Sequence, residues 1–449
     1  MVETSSSDFQ SPVDLPLTPA PNGVTSVKAP FVLVLIAVTM FLPEEASFFF
    51  GERRMTVTRL FLLLMTPAIL FRFSQLVVQE KYRFVWSDAL VPVTGLWMFV
   101  GPIAIDGFDK AIVSSGVSAL EFCLPYLAAR VYLSERGQAI ALVRILCITI
   151  ATVGLLAILD EVSRRFLLRE TVAHLTGYDR YFSSANDYDY ANNMRGFLFR
   201  ATSTLEHPIL LATACFFGLL MATTMRGGTR QYTVVGSALG IVLAVSSAPF
   251  LGALFGFAAL LYEKITRHIA YRWTAAVIGI VIGLLMIFII KTDPVGFLIS
   301  HLTIDPQTGW YRLLFWNCVG GLVLDSPILG IGLSDDYVSF CELMGSTIDS
   351  VWLRTAMLYG IPGSVLVFLC YVGGSSLPVG IENKDLNLTK RERYLSFILS
   401  VILGVAIFIG IAVFYWGTVY ILTMFLTGIR AHLGALGATP RDPSIDDDE

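Results

Sequence analysis

Two arginines, a histidine and a carboxylate stand where the chain leaves or rejoins its apolar runs. Arg200 and His207 bracket RATSTLEHP, Arg312 lies in GWYRLLFW, and Asp349 opens DSVWL. A guanidinium stays charged and grips phosphate oxygens through a planar fork, so Arg200 and Arg312 at a membrane–water border suit a lipid-linked pyrophosphate. Arg195 stands close enough in sequence to join them. Histidine titrates near neutrality, as a general base requires, and His207 is one of only five in the chain. At the start of an apolar run, before Pro208, it is equally suited to a hydrogen-bonded structural role. Asp349 is a carboxylate at a membrane edge near arginines, fit to act as a base or to orient substrate. It is also placed to cap a helix beginning at Ser350 or Val351, and the two roles are compatible. Trp310, Tyr311 and Trp316 flank Arg312 and offer aromatic faces on which sugars stack.

Other residues carry weaker signals. Asp187 with Asp189, and Asp335 with Asp336, have the spacing by which acids hold a divalent metal, but paired acids in polar loops are more often solvated, and no metal is expected. Arg164, Arg165 and Arg169 sit at the end of an apolar run, where snorkelling is the expectation; Arg59, Arg72 and Arg144 lie closer to run ends and can snorkel. Glu121 falls near the middle of a run, where a charge costs about 2.5–3.5 kcal/mol; it must be neutral, paired or turned inward. Of the six cysteines, only Cys318 and Cys341 share a loop, and they can pair in an oxidising compartment. No Cys/His spacing suggests zinc.

The elements that must position these residues follow from composition. Only 15% of the 449 residues are charged, 55% are hydrophobic, and the mean hydropathy is +0.70. A soluble domain carries about 25% charged residues, so the expected class is all-α and polytopic, embedded in a lipid bilayer. Apolar runs near 31–43, 56–79, 86–105, 110–133, 138–160, 205–225, 231–248, 249–263, 273–291, 351–374, 394–412 and 413–430 predict about twelve transmembrane helices. The first is short and ends abruptly at Pro43-Glu44-Glu45. Lysines and arginines concentrate in alternate short loops (Lys81 and Arg83, Arg130 and Arg136, Arg226 and Arg230, Lys264 to Arg272, Lys384 to Arg393), against only Arg53, Arg54 and Lys110 on the other side. The positive-inside rule then puts both termini in the cytoplasm. Two large loops, 161–204 and 292–350, fall outside and are expected to carry short helices within a single transmembrane domain, 31–430. The Ser/Pro-rich segment 1–30 and the acidic segment 431–449 read as solvated tails. The segment from Gly309 to Gly363 is too long and too aromatic for an inert connection, and is expected to be the active or binding loop.

Five pieces together resemble a known family: Arg200 with Thr204-Leu-Glu-His207-Pro208, the Val245-Ser-Ser-Ala-Pro-Phe-Leu-Gly turn, Gly309-Trp-Tyr-Arg312 through Trp316, Pro327-Ile-Leu-Gly330-Ile-Gly332, and Asp349-Ser-Val-Trp-Leu353 with Gly360-Ile-Pro-Gly363. Over about 195–375 the chain resembles the O-antigen ligase/polymerase superfamily of bacterial envelope glycosyltransferases. The resemblance implies an inner-membrane enzyme with its site on periplasmic loops and an undecaprenyl-pyrophosphate-linked glycan as donor. It implies no cofactor and no metal, and essential arginines that map to Arg200 and Arg312. Polymerases add the chain to another lipid-linked repeat of a surface polysaccharide or exopolysaccharide, beside a chain-length regulator or other assembly proteins; ligases transfer it to lipid A core. Where ligases place a histidine, commonly followed by Asn, this sequence has Asp349-Ser350, which favours a polymerase and leaves the base open between Asp349 and His207. Pyrophosphate is already a good leaving group, so arginines need only neutralise developing charge while one acceptor hydroxyl is oriented and deprotonated. The rival from another class is a transporter or flippase of a lipid-linked or anionic substrate, for which Glu121 and the membrane arginines would matter most. No nucleic-acid partner is expected.

Overall fold

A computed structural model describes residues 27–50, 53–178, 193–269, 271–302, 306–333, 348–373 and 386–439. Every apolar run predicted from the sequence contains a helix. The order is α1 (Phe31–Thr39), a hairpin of β1 (Ser47–Phe50) and β2 (Arg53–Thr56), α2 (Val57–Val78), α3 (Trp86–Asp106), α4 (Phe108–Tyr132), α5 (Gln138–Ser163), α6 (Leu167–Thr176), a second hairpin of β3 (Met194–Arg195) and β4 (Leu198–Phe199), α7 (Pro208–Ala222), α8 (Gly227–Ala244), α9 (Ser247–Thr266), α10 (Arg272–Ile290), α11 (Pro294–Leu302), α12 (Pro306–Asp325), α13 (Val351–Gly373), α14 (Lys390–Ile409) and α15 (Gly417–Gly437). Among the described residues, nine helices are long and apolar enough to cross a bilayer. The runs at 31–43, 205–225 and 231–248 yield α1, α7 and α8, which fall outside that set; α1 has 9 residues and α7 has 15. Both predicted loops carry short helices, α6 in the first and α11 with the longer α12 in the second.

The core follows from burial of the inner helices rather than from amphipathic stripes. Phe216, Phe217, Leu146, Ile398 and Phe425 are fully buried at the centre of a cluster drawn from α1, α2, α4, α5, α7, α14 and α15. Small residues let α5 and α8 touch: a Cβ on Gly236 would run into the backbone of Ala151, the close approach that membrane helices use in place of a hydrophobic driving force. A second cluster joins α3, α4, α13 and α15 through Phe122, Tyr126, Tyr371 and Met424. At the end of the bundle remote from the two large loops, Arg130 pairs with Asp88 at 2.7 Å, and Tyr82 and Tyr126 donate hydroxyls to the same carboxylate. By contrast, no residue of α10 beyond Arg272 is buried. It is tied at its base by the Arg272–Glu263 pair at 2.6 Å, and its apolar face is left to lipid.

The described parts of the segment from Gly309 to Gly363 are largely helical. Gly309 through Asp325 belong to α12, which packs Phe315, Val319 and Val323 against Ile348, Leu353 and Met357. The turn after α12 is bonded to a break in α13: Ile331 donates to the Met357 carbonyl at 2.8 Å, and Ile361 donates to Pro327 at 2.8 Å. Both sides of that seam need glycine. Gly330 and Gly360 have φ of 78° and 73°, and a Cβ on Gly360 would collide with the Ile328 carbonyl. The two Gly/Pro motifs that attract attention in the sequence are thus the two halves of one backbone clamp.

Candidate active site

Arg200 follows β4 and is held from several sides. Its own N–H donates to Asn193 at 2.8 Å, and Ala201 donates to Leu243 at 3.0 Å. Asp160, fully buried near the end of α5, accepts from Thr202 at 3.0 Å and Ser203 at 2.8 Å through one oxygen, and from Leu167 at 3.1 Å through the other. Ser203 is forced to φ 57° and anchors its hydroxyl on Val153. A carboxylate from α5 thereby fixes the turn that presents Arg200 and starts α6. Arg312 projects from α12 and is 4% exposed.

Asp349 lies between these two cations electrostatically. Ser350 takes the capping role at α13, its Oγ accepting from Leu353 at 3.3 Å, and Val351 donates to Gly410 at 2.9 Å. Asp349 is released from capping. Burial holds its carboxyl above the ordinary range despite the attraction of Arg312 and Arg200. Burial and the like charge of Arg195 push the Arg200 guanidinium down to about 10, with Asp349 opposing them. The Nε–H of Arg200 is buried and donates to no partner among the described residues. Arg195 itself is exposed on β3.

His207 serves as the cap of α7: Nδ1 accepts the Ile209 N–H at 3.1 Å, and the ring lies 5.7 Å from that of Trp416. Burial, then the charges of Arg200 and Arg169, push it down to about 3. It is a neutral imidazole with one nitrogen occupied, poorly suited to receive a proton near neutrality. Trp316 packs against the Phe315–Met357 cluster. Trp310 and Tyr311 fall in α12, with side chains outside the described residues, as are Asp187, Asp189, Asp335, Asp336 and Cys341. Cys318 is disulfide-bonded. Among the described residues, no group of three His, Cys, Asp or Glu side chains is arranged to hold a metal ion.

Two expectations are corrected. Arg169 does not snorkel: on α6 it binds Glu45 through Nε at 2.9 Å and Nη2 at 2.6 Å, and donates to the Glu206 carbonyl at 3.0 Å. Burial pulls its pKa down, yet Glu45 outweighs that and leaves it above the ordinary value. Arg59 does not snorkel either; its Nε meets Glu121 Oε1 at 2.6 Å. The pairing settles how Glu121 is accommodated within α4.

Sequence reasoning missed what lies beneath. A cavity of about 330 Å³ is lined by Arg59, Glu121, Glu44, Glu206 and Arg354, with Val351 and Trp416 linking it to the residues around Asp349 and His207. Arg354, one turn into α13, stacks over Phe414 at 4.4 Å and has no carboxylate partner among the described residues. Glu206 is seated where α15 begins, accepting the Thr418 N–H; a Cβ on Gly417 would strike its carboxylate. Its carboxyl is raised to about 7, first by burial and then by Glu44. The only sequence signal for it was its place immediately before His207.

Fold and site define a polytopic helical membrane protein with buried Arg312 and half-buried Arg200 acting on the half-buried Asp349 at the loop end of its bundle, beside a polar cavity. No protein-family model matches the chain, and no curated protein matches its sequence.

Proposed function

We propose that this chain is an inner-membrane glycosyltransferase that polymerises undecaprenyl-pyrophosphate-linked repeat units of a surface polysaccharide or exopolysaccharide at the periplasmic face, both termini being cytoplasmic. The observation that carries the reading is that Arg200 and Arg312, more than a hundred residues apart in sequence, both act electrostatically on one half-buried carboxylate, Asp349. Two fixed cations held by backbone turns and helix packing are a preorganised receptor for a diphosphate leaving group. Asp349 keeps the guanidiniums oriented until the diphosphate replaces its charge. Arg195 extends the positive field toward the water side. A ligase acting on lipid A core would share this geometry and differ only in acceptor. A transporter of an anionic substrate is disfavoured by the cavity, whose carboxylates outnumber its cations and whose Glu121 is bound to Arg59.

The test is gel analysis of lipid-linked glycans in a deletion strain complemented with Arg200→Ala or Arg312→Ala. Single lipid-linked repeats should accumulate while the variant protein still inserts. Long chains that fail to reach lipid A core would mean a ligase, and build-up on the cytoplasmic face a flippase. Long polymer in both arginine variants would overturn the assignment.

A further inference from the structure

The cavity beside the arginines is unsuited to the diphosphate itself. Its wall sets Glu44, Glu121 and Glu206 against Arg59 and Arg354, and Arg59 is already engaged by Glu121. Neither Arg200 nor Arg312 lines it. Charge thus divides the region in two: a cationic part that receives an anion, and a pocket that repels one. The rest of the pocket is aromatic, with Tyr359, Tyr415, Trp416 and Tyr420 on its wall. Carboxylate acceptors, a guanidinium donor and aromatic faces are the groups that hold a neutral ring bearing many hydroxyls. The volume falls at the lower end of small-molecule sites, ~300–1,000 Å³.

Three polar atoms of residues in this wall lack partners. Glu206 Oε2, the Tyr371 hydroxyl and Arg354 Nε are buried and make no hydrogen bond among the described residues. Helix capping accounts for the Thr418 bond to Glu206 and leaves its second oxygen unexplained. Such groups cost ~1–3 kcal/mol unless a ligand or water satisfies them.

We infer that this cavity receives the acceptor sugar and that Glu206 takes the proton from its attacking hydroxyl. The inference rests on the glycosyl-transfer reading above. The acceptor oxygen forms a bond to the anomeric carbon of the donor sugar. The bond from that carbon to the diphosphate oxygen breaks, and its electron pair leaves with the diphosphate, toward Arg200 and Arg312. The hydroxyl proton passes to the Glu206 carboxylate, which returns it to water after release. Glu206 replaces both His207 and Asp349 as the base: the first is a cap with its Nδ1 occupied, and the second faces two cations.

The experiment uses the full chain in lipid nanodiscs, with the host's lipid-diphosphate-linked repeat as donor and a free repeat oligosaccharide as acceptor. For the parent, turnover should rise with pH through about 7, since the base works ionised; a flat profile overturns the inference. Glu206→Gln should lower turnover by ~100-fold or more and abolish that rise, with donor KM unchanged, while Glu206→Asp restores part of both. Turnover of Glu206→Gln within threefold of the parent, on the same pH profile, would also overturn it. Thr355 also lines the pocket; Thr355→Trp, which fills it, should raise acceptor KM at least tenfold without affecting the donor, and an unchanged acceptor KM counts against the site. A parent protein that does not consume the lipid-linked repeat at all would instead refute the glycosyltransferase reading.

Discussion

Replacing Glu45 by Gln tests whether a buried ion pair holds the base of the site. The Arg169 and Glu45 side chains are 7% and 2% exposed, with Nη2 to Oε1 at 2.6 Å. Arg169 also carries the Glu206 carbonyl at 3.0 Å, so the pair ties the segment after α1 to the turn that enters α7. Gln keeps one acceptor oxygen and removes the charge, leaving a buried permanent cation without its nearest counter-charge. Breaking a buried pair in this way costs ~3–5 kcal/mol. At roughly 2 °C per kcal/mol for a large chain, unfolding should shift down by roughly 6–10 °C. Cys147, Cys215 and Cys370 are free and fully buried, so the onset of labelling by a thiol-reactive fluorophore on heating reports the transition. The double variant Glu45→Gln/Arg169→Met strands no charge and should recover most of the loss. Glu45→Gln unfolding within 1 °C of the parent, by the same order-of-magnitude scale, would refute the reasoning, as would a double variant no more stable than the single one.

Three further outcomes are expected. Asp349→Asn leaves two guanidiniums without their shared counter-charge and should lower polymer formation at least ~10-fold, equivalent to ~1.4 kcal/mol, read from chain-length ladders on gels. His207 is held at about 3 in the fold against its ordinary 6.5; the unfolded chain therefore binds the proton first as pH falls, so its contribution is complete above about 6.5 and is lost progressively toward 3. The unfolding temperature should drop across that window, and His207→Gln should flatten the slope. Gly360→Ala combines a left-handed backbone with a clash against the Ile328 carbonyl and should cost ~1–3 kcal/mol, measured by the same thiol-labelling melt.

How much could be read from the sequence depends on how local the responsible physics is. Each predicted apolar run forms a helix because length and hydropathy within one segment suffice, and Pro208 after a capping residue marks the start of α7 in the letters themselves. Arg200, Arg312 and Asp349 stood out as candidates because charge at a membrane border is informative without knowledge of neighbours. The action of both arginines on that carboxylate was not legible, for it depends on Asp160 fixing the 200–203 turn and on α12 docking against α13. Glu45 read as no more than the end of a short run because its partner lies 124 residues on. Arg59 and Glu121, 62 residues apart, were judged separately for the same reason. Glu206 was hidden by its place in a short motif whose histidine drew the attention, and only the Gly417–Thr418 seat reveals what surrounds it. Ser350, one letter after Asp349, took the capping bond that either residue could have made.

The seam between Pro327–Ile331 and Met357–Ile361 makes α12, its following turn and the first turns of α13 one mechanical unit. Arg312 and Asp349 ride on that unit, whereas Arg200 is anchored to α5 through Asp160. The two guanidiniums that the proposed reading assigns to the diphosphate are therefore held by separate elements, one by α12 and the other by a turn bonded to α5. On that reading, a substitution that loosens the seam alters the spacing between the two cations without touching either of them.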